Sequence, residues 1–224
     1  LSKGAKKFFA ASGGEQIGDE LVATDVTDFS PYLLKIRQAK PDLVATNLAG
    51  NQVTNFVKQY AEFGLPYTVA GFNLNTADAW AAGDGNLSGL WPTVWHHELQ
   101  TPGSKAFVAA FIKKHGKPPE NHAWIEYVSL KMMAQAMSET KSTDTDKLIA
   151  YFESEAKFDI LKARQGYFRS WDHQLMQEAY PFTVKPKGQA KDKWDFLKFG
   201  DAVPAPNQSL ELLAPTKEDS ACKM

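Results

Sequence analysis

A single cysteine, Cys222, stands in the polar tail 218–224 of this 224-residue chain, so no intrachain disulfide can form. A chain of this size needs no such staple in any compartment. With no helix start and no cluster of basic residues beside it, Cys222 is also a poor nucleophile. No sign of charge dominates. Lys and Arg number 25 against 26 Asp and Glu, a formal charge of -1, which leaves no basic field for nucleic acid or an anionic membrane. No apolar run approaches the ~18 to 20 residues of a membrane helix, so direct membrane insertion is not expected. The start Leu1-Ser2-Lys3-Gly4 has neither Met nor an apolar signal segment and reads as cut or processed. Signature motifs are missing too: there is no GxSxG elbow and no P-loop.

What is present is core material. Six Trp, seven Tyr and fourteen Phe, within 43% hydrophobic and 23% charged residues, describe a globular protein of one or two domains rather than a disordered one. At this length roughly 70% of the unfolded surface can be buried.

The elements alternate. Residues 3–12 carry apolar groups at 5, 8 and 9 before Gly13-Gly14, a short amphipathic helix with a glycine stop. A strand is expected at 20–24. Asp28 or Ser30 then caps a helix with Pro31 in its first turn and Leu33, Leu34, Ile36 and Ala39 as its buried stripe. Leu43-Val44-Ala45-Thr46 reads as a buried strand, and Val53, Phe56, Val57, Tyr60 and Phe63 as the apolar face of a helix over 52–63 that stops at Gly64. A strand at 67–71, a short helix at 76–82, a turn at Gly83-Asp84-Gly85 and a strand within 87–95 complete the series. Strands in rotation with helices predict an α/β fold, a parallel sheet flanked by helices. Beyond Glu98 the texture becomes helical, over 104–115, 123–140 and 146–155, and short strands follow in 166–169 and 178–184. The proline-bearing end, with Pro204, Pro206 and Pro215, reads as extended and loosely held.

Most candidate chemistry has a plain structural reading. His96 and His97 adjoin on an extended segment, so their side chains diverge and no metal site is expected. His173 fits a turn between two strands, and Met132, Met133 and Met137 read as core filling. Gly83-Asp84-Gly85-Asn86-Leu87-Ser88 begins like a dinucleotide-binding loop but follows a helix and precedes a strand, the reverse of the required context. With no visible nucleophile and no cofactor motif, no enzymatic activity and no cofactor are expected.

The strand ends are more informative. In open α/β sheets, ligands bind beyond the carboxyl ends of the strands. One such end offers Asn47, Ala49, Gly50, Asn51 and Gln52, the other Phe72, Asn73 and Asn75. Small residues admit close backbone approach, and neutral amides both donate and accept, which suits a small polar solute; turns and helix caps are the competing reading.

Thr27-Asp28-Phe29, Leu34-Lys35-Ile36, Pro41-Asp42-Leu43-Val44, Asn55-Phe56-Val57-Lys58-Gln59, Phe63-Gly64-Leu65, Pro118-Pro119 and Ala123-Trp124-Ile125-Glu126-Tyr127 follow one another in an order that resembles the Leu/Ile/Val-binding protein family of type I periplasmic solute-binding proteins. The resemblance implies a type I periplasmic-binding-protein fold of two lobes, the first incomplete in this sequence. Residues 1–98 would be a second-lobe α/β unit, 99–168 helices crossing to the first lobe, and 169–224 recrossing strands and a C-terminal tail. It implies a periplasmic, extracytoplasmic protein that closes on a small-molecule solute, a branched-chain amino acid, an amide or a small or aromatic carboxylate, and delivers it to an ABC-type membrane permease. The family's second-lobe aromatic falls near Ala49 or Gly50, and its ammonium-pairing acid falls on Asn73. An ordinary α-amino acid would therefore lose a charge-assisted bond, while amides and small or aromatic carboxylates remain open, with Phe72 or Trp95 available to stack on a ring. The rival expectation is a sensory effector-binding domain of the same fold.

Overall fold

The computed structural model describes residues 2–72, 74–83, 87–186, 188–220 and 222. The chain divides into two compact units, Leu1–Thr93 with Pro181–Gly200, and Val94–Tyr180 with Asp201–Met224, and so passes from one to the other three times.

The first unit holds α1 (Ser2–Ala11), α2 (Ser30–Ala39), β1 (Leu43–Thr46), α3 (Asn51–Glu62), β2 (Thr68–Gly71), α4 (Thr76–Ala82) and β3 (Trp91–Thr93), joined by β6 (Tyr180–Val184) and β7 (Leu197–Phe199). β1 and β2 pair in parallel from Leu43↔Thr68 to Thr46↔Gly71. A parallel bridge from Ala70 to Leu90 extends the sheet toward β3, which lies in the order β3-β6-β7. The 3.6-residue spacing of α3 puts Val53, Phe56, Val57 and Tyr60 into one core with Phe29 and Leu33 of the α2 segment and Val69 of β2. Two glutamines of α3 fasten the chain ahead of α2. Gln59 accepts from the Phe29 N–H at 2.7 Å and donates to the Thr27 carbonyl at 2.8 Å, and Gln52 donates to the Ala23 carbonyl at 2.7 Å. Pro31 sits in the first turn of α2 as expected, while the cap position falls to Phe29 and the Asp28 carboxylate accepts from the Ser30 N–H at 2.9 Å.

Four expectations fail here, the first in α2, where Leu33 and Ile36 pack in the core but Leu34, 48% exposed, and Ala39 lie outside it because they fall off that face. Residues 20–24 form no strand, and Leu21 is 96% exposed, because a strand exists only through a ladder and no described strand pairs with this segment. β1 forms at the expected residues but is not buried on both faces, with Leu43 39% exposed. α1 forms over nearly the expected residues, yet its Phe8 is 58% exposed and packs into neither core. Asp84, Gly85 and Asn86 of the expected turn lie outside the described residues.

The second unit holds α5 (Pro102–His115), α6 (Asn121–Thr140), α7 (Thr145–Glu153), β4 (Tyr167–Phe168) and β5 (Leu175–Met176). Each helix is capped by an oxygen side chain. Thr101 accepts from the Ser104 N–H, Glu120 from those of His122 and Ala123, and Asp144 from that of Lys147. The buried stripe of α6 is Asn121, Trp124, Val128, Met132 and Ala136. Of the three methionines read as core, only Met132 is buried; Met133 and Met137 are exposed, since a helix turns about 100° between 132 and 133. β4 and β5 form an antiparallel hairpin, and His173 closes its turn with φ 53°, its N–H bound to the Arg169 carbonyl at 2.9 Å. Trp95 and Trp124 stack at 6.2 Å between centroids in this core, and Trp95 is 0% exposed, so it is unavailable to a solute ring.

Candidate functional site

The parallel register of β1 and β2 brings two strand ends together. Thr46 stands opposite Gly71, and the next residue, Phe72, donates its N–H to the Thr46 carbonyl at 3.1 Å. Asn47, Ala49, Gly50 and Asn51 therefore lie on the same sheet edge as Phe72. Asn73 lies outside the described residues. In the loop, Leu48 packs against the core while Asn47, Ala49 and Gly50 are exposed. Gly50 precedes α3 with φ 54° and ψ -134°, a left-handed value that favours glycine, and leaves α3 without a side-chain cap. Asn51 opens the helix with an exposed side chain, and Phe72 is half-buried. Gln52 is turned away, its amide spent on the Ala23 and Val26 carbonyls.

β2 is held in register by close packing. A side chain at Gly71 would fall 1.9 Å from the Trp91 ring, and one at Gly89 would fall 2.0 Å from the Val69 carbonyl oxygen. From Thr46 through Asn55, and from Gly71 through Ala77, no ionisable side chain occurs. The field at this edge comes from the N-terminal peptide dipoles of α3, which are positive toward the loop. Composition did not reveal Thr46 as part of the edge. It is 7% exposed, and its hydroxyl has no hydrogen-bond partner among the described residues.

Buried ionisable groups gather in the second unit instead. Glu178, 2% exposed, accepts from Arg164 Nε at 2.7 Å and from the Tyr180 hydroxyl at 2.6 Å. Burial works to raise its carboxyl, but Tyr180 and Arg164 hold it below the usual range. Lys162 donates to Gln177 Oε1 at 2.7 Å and to the Glu178 carbonyl, and burial pushes its ammonium down to about 7. Arg164 also donates to the carbonyls of Pro204, Ala205 and Gln208. His96, edge-on to the Tyr180 ring at 5.0 Å, is pushed down to about 3 by burial, with His97 and Lys162 adding. Lys162, Arg164, Glu178 and Tyr180 thus find their partners within the unit, as a structural network does. Among the described residues no three His, Cys, Asp or Glu side chains gather as metal ligands, and no helix is long and apolar enough to cross a membrane.

The family model for periplasmic binding proteins matches residues 1–190. Among solved structures, an amino acid ABC transporter substrate-binding protein from Pseudomonas fluorescens Pf-5 aligns with 100% of this chain at a TM-score of 0.85 and 22% identity, with 58% of its own length covered. A branched chain amino acid ABC transporter periplasmic ligand-binding protein from Burkholderia xenovorans LB400 aligns with 98% at a TM-score of 0.81 and 25% identity, 57% of it covered. A solute binding protein of an ABC transporter from Rhodopseudomonas palustris BisB5, in complex with 3,4-dihydroxy benzoic acid, aligns with 90% at a TM-score of 0.71 and 25% identity, 56% of it covered. The chain thus spans less than two thirds of the length of these structures. A search of curated proteins gives no match.

Proposed function

Since the chain belongs to the periplasmic binding protein family, which its residues 1–190 match, we propose that it is the solute-binding component of an extracytoplasmic ABC-type uptake system and performs no chemistry on its guest. The first unit, which carries the two strand ends, is read as the second lobe of the family's fold. Capture of a small polar solute, a branched-chain amino acid, an amide or a small or aromatic carboxylate, withdraws it from water, and the loaded form is what a membrane permease receives. The observation that carries this reading is the edge itself. Two adjacent parallel strands end in small and neutral residues beside an uncapped helix start, with Phe72 as an apolar neighbour. Asn47, Ala49, Gly50, Asn51, Phe72 and Asn73 are the contacts assigned to the solute. Binding of 3,4-dihydroxy benzoic acid by one relative of the same fold favours the acids.

Thermal denaturation against a panel of leucine, valine, benzamide, benzoate and 3,4-dihydroxybenzoate tests the proposal. A solute present at 100 times its dissociation constant adds about 2.7 kcal/mol of stability. At least one panel member is expected to raise the midpoint in a concentration-dependent way. No response to any of them at 10 mM (about 100 times a 0.1 mM dissociation constant) would count against solute capture.

A further inference from the structure

α6 is apolar on two sides, and its unit covers one of them. The buried side is the stripe Asn121, Trp124, Val128, Met132 and Ala136. On the other side Ala123, Tyr127, Leu130, Ala134 and Met137 recur at intervals of four, three, four and three, a continuous ridge on a helix, with Met133 beside it. At about 100° per residue, Leu130 lies straight across the helix axis from the buried set. Leu130 is 72% exposed, Tyr127, Met133 and Met137 are 38 to 45% exposed, and none of the four belongs to the core cluster of the unit. A helix that is apolar all round belongs in an interior.

Charge is missing from this ridge. From Tyr127 through Ser138 the one charged side chain is Lys131, and Asp159 holds its ammonium. The charges just beyond the ridge are acids, Glu126 and Glu139, the wrong sign for an anionic lipid surface. Weighted by their exposed fractions, the four large side chains leave roughly 400 Å² of surface in one stripe, the size at which a patch marks an interaction site. A standard protein–protein interface buries about 800 Å² per partner, of which a little over half is apolar, close to what the ridge offers.

We infer that this ridge is the seat of a second copy of the same chain, the two α6 helices lying antiparallel about a two-fold axis at Leu130. The ridge is self-complementary in that arrangement, as a two-fold interface requires. Ala123 and Met137 stand seven residues to either side of Leu130, so small opposes large, Tyr127 opposes Met133, and Glu126 opposes Ala134. A parallel pair would set Glu126 against Glu126 and Glu139 against Glu139, and would align the two helix dipoles. The pairing is independent of what the strand ends of the first unit bind.

Sedimentation equilibrium of the 224-residue chain up to about 100 µM, a hundred times a micromolar dissociation constant, reads the association. A plateau at twice the mass of one chain is expected. Leu130→Glu puts two like charges on the axis and is expected to weaken the dimer at least a hundredfold, with an unchanged circular dichroism spectrum because Leu130 lies outside the core. Leu21→Glu, at a still more exposed leucine of the first unit, is expected to leave the dimer as it is. In a Cys222→Ser background, mild oxidation is expected to link Leu130→Cys chains to one another, and Ala123→Cys chains to Met137→Cys chains but not to themselves. A single-chain mass throughout, or larger species with no dimer plateau, would overturn the proposal. So would a Leu130→Glu chain that associates like wild type, or loss of the dimer in Leu21→Glu. Ala123→Cys chains that link to themselves would overturn the antiparallel pairing.

Discussion

Removing Glu178 probes the packing logic of the second unit most severely. Its carboxylate is 2% exposed and holds two strong bonds, from Arg164 Nε at 2.7 Å and the Tyr180 hydroxyl at 2.6 Å. Hydrogen bonds to a charged group contribute about 1.5 to 3 kcal/mol each, a gross of about 3 to 6 kcal/mol. Breaking a buried ion pair by deleting one partner costs about 3 to 5 kcal/mol, because the other charge stays behind without its counterion. Arg164 keeps three carbonyl partners and its side chain is 20% exposed, which places Glu178→Ala toward the lower half of that range. The assay is urea unfolding followed by tryptophan fluorescence, together with amide exchange at Ala179 and Val203, whose mutual bonds of 2.8 Å tie the segment before residue 181 to that after residue 200. Loss of about 3 kcal/mol and faster exchange at both amides are expected. Arg164→Met/Glu178→Met should recover at least half of the loss, since an apolar pair of similar volume leaves no buried charge. A loss below about 1 kcal/mol, or strict additivity of the two single changes, would refute the reasoning.

Two further outcomes follow from the same structure. Gly71→Ala drives a methyl group into the Trp91 ring, 1.9 Å away, where both residues are buried, and should cost about 3 kcal/mol or more in urea unfolding; a cost under 1 kcal/mol would mean β2 and β3 pack otherwise. The His96 imidazole is held at about 3 against an ordinary 6.5, so between those values the unfolded chain binds the extra proton and stability falls as pH falls. The slope reaches at most about 1.4 kcal/mol per pH unit, and the stability of a His96→Phe chain should fall less steeply between pH 6.5 and 4.5; identical slopes would contradict the burial of His96.

Local rules carried much of the fold. The stripe Val53, Phe56, Val57 and Tyr60 specifies α3 by itself, and Leu43–Thr46 and Thr68–Gly71 are short apolar segments bounded by turns. The strand expected at 20–24 failed because propensity says nothing about whether a partner strand is present. Met133 and Met137 were misplaced because composition does not say which face of an apolar helix is covered. At the candidate site, the α/β alternation indicated that residues after β1 and β2 share an edge, since consecutive parallel strands neighbour one another. Thr46 carried no such signal. Its hydroxyl stands out only because no described residue answers it, and that is a property of tertiary structure. Trp95 illustrates the converse, a residue suited to ring stacking whose stacking partner is Trp124 in the core.

Backbone amide shift mapping with the panel solute that stabilises the chain most addresses the central claim directly. Perturbations concentrated at Thr46–Gln52 and Phe72 are the predicted result. Shifts centred instead on the apolar groove of Leu90, Pro181 and Phe199, with the strand ends unmoved, would contradict it.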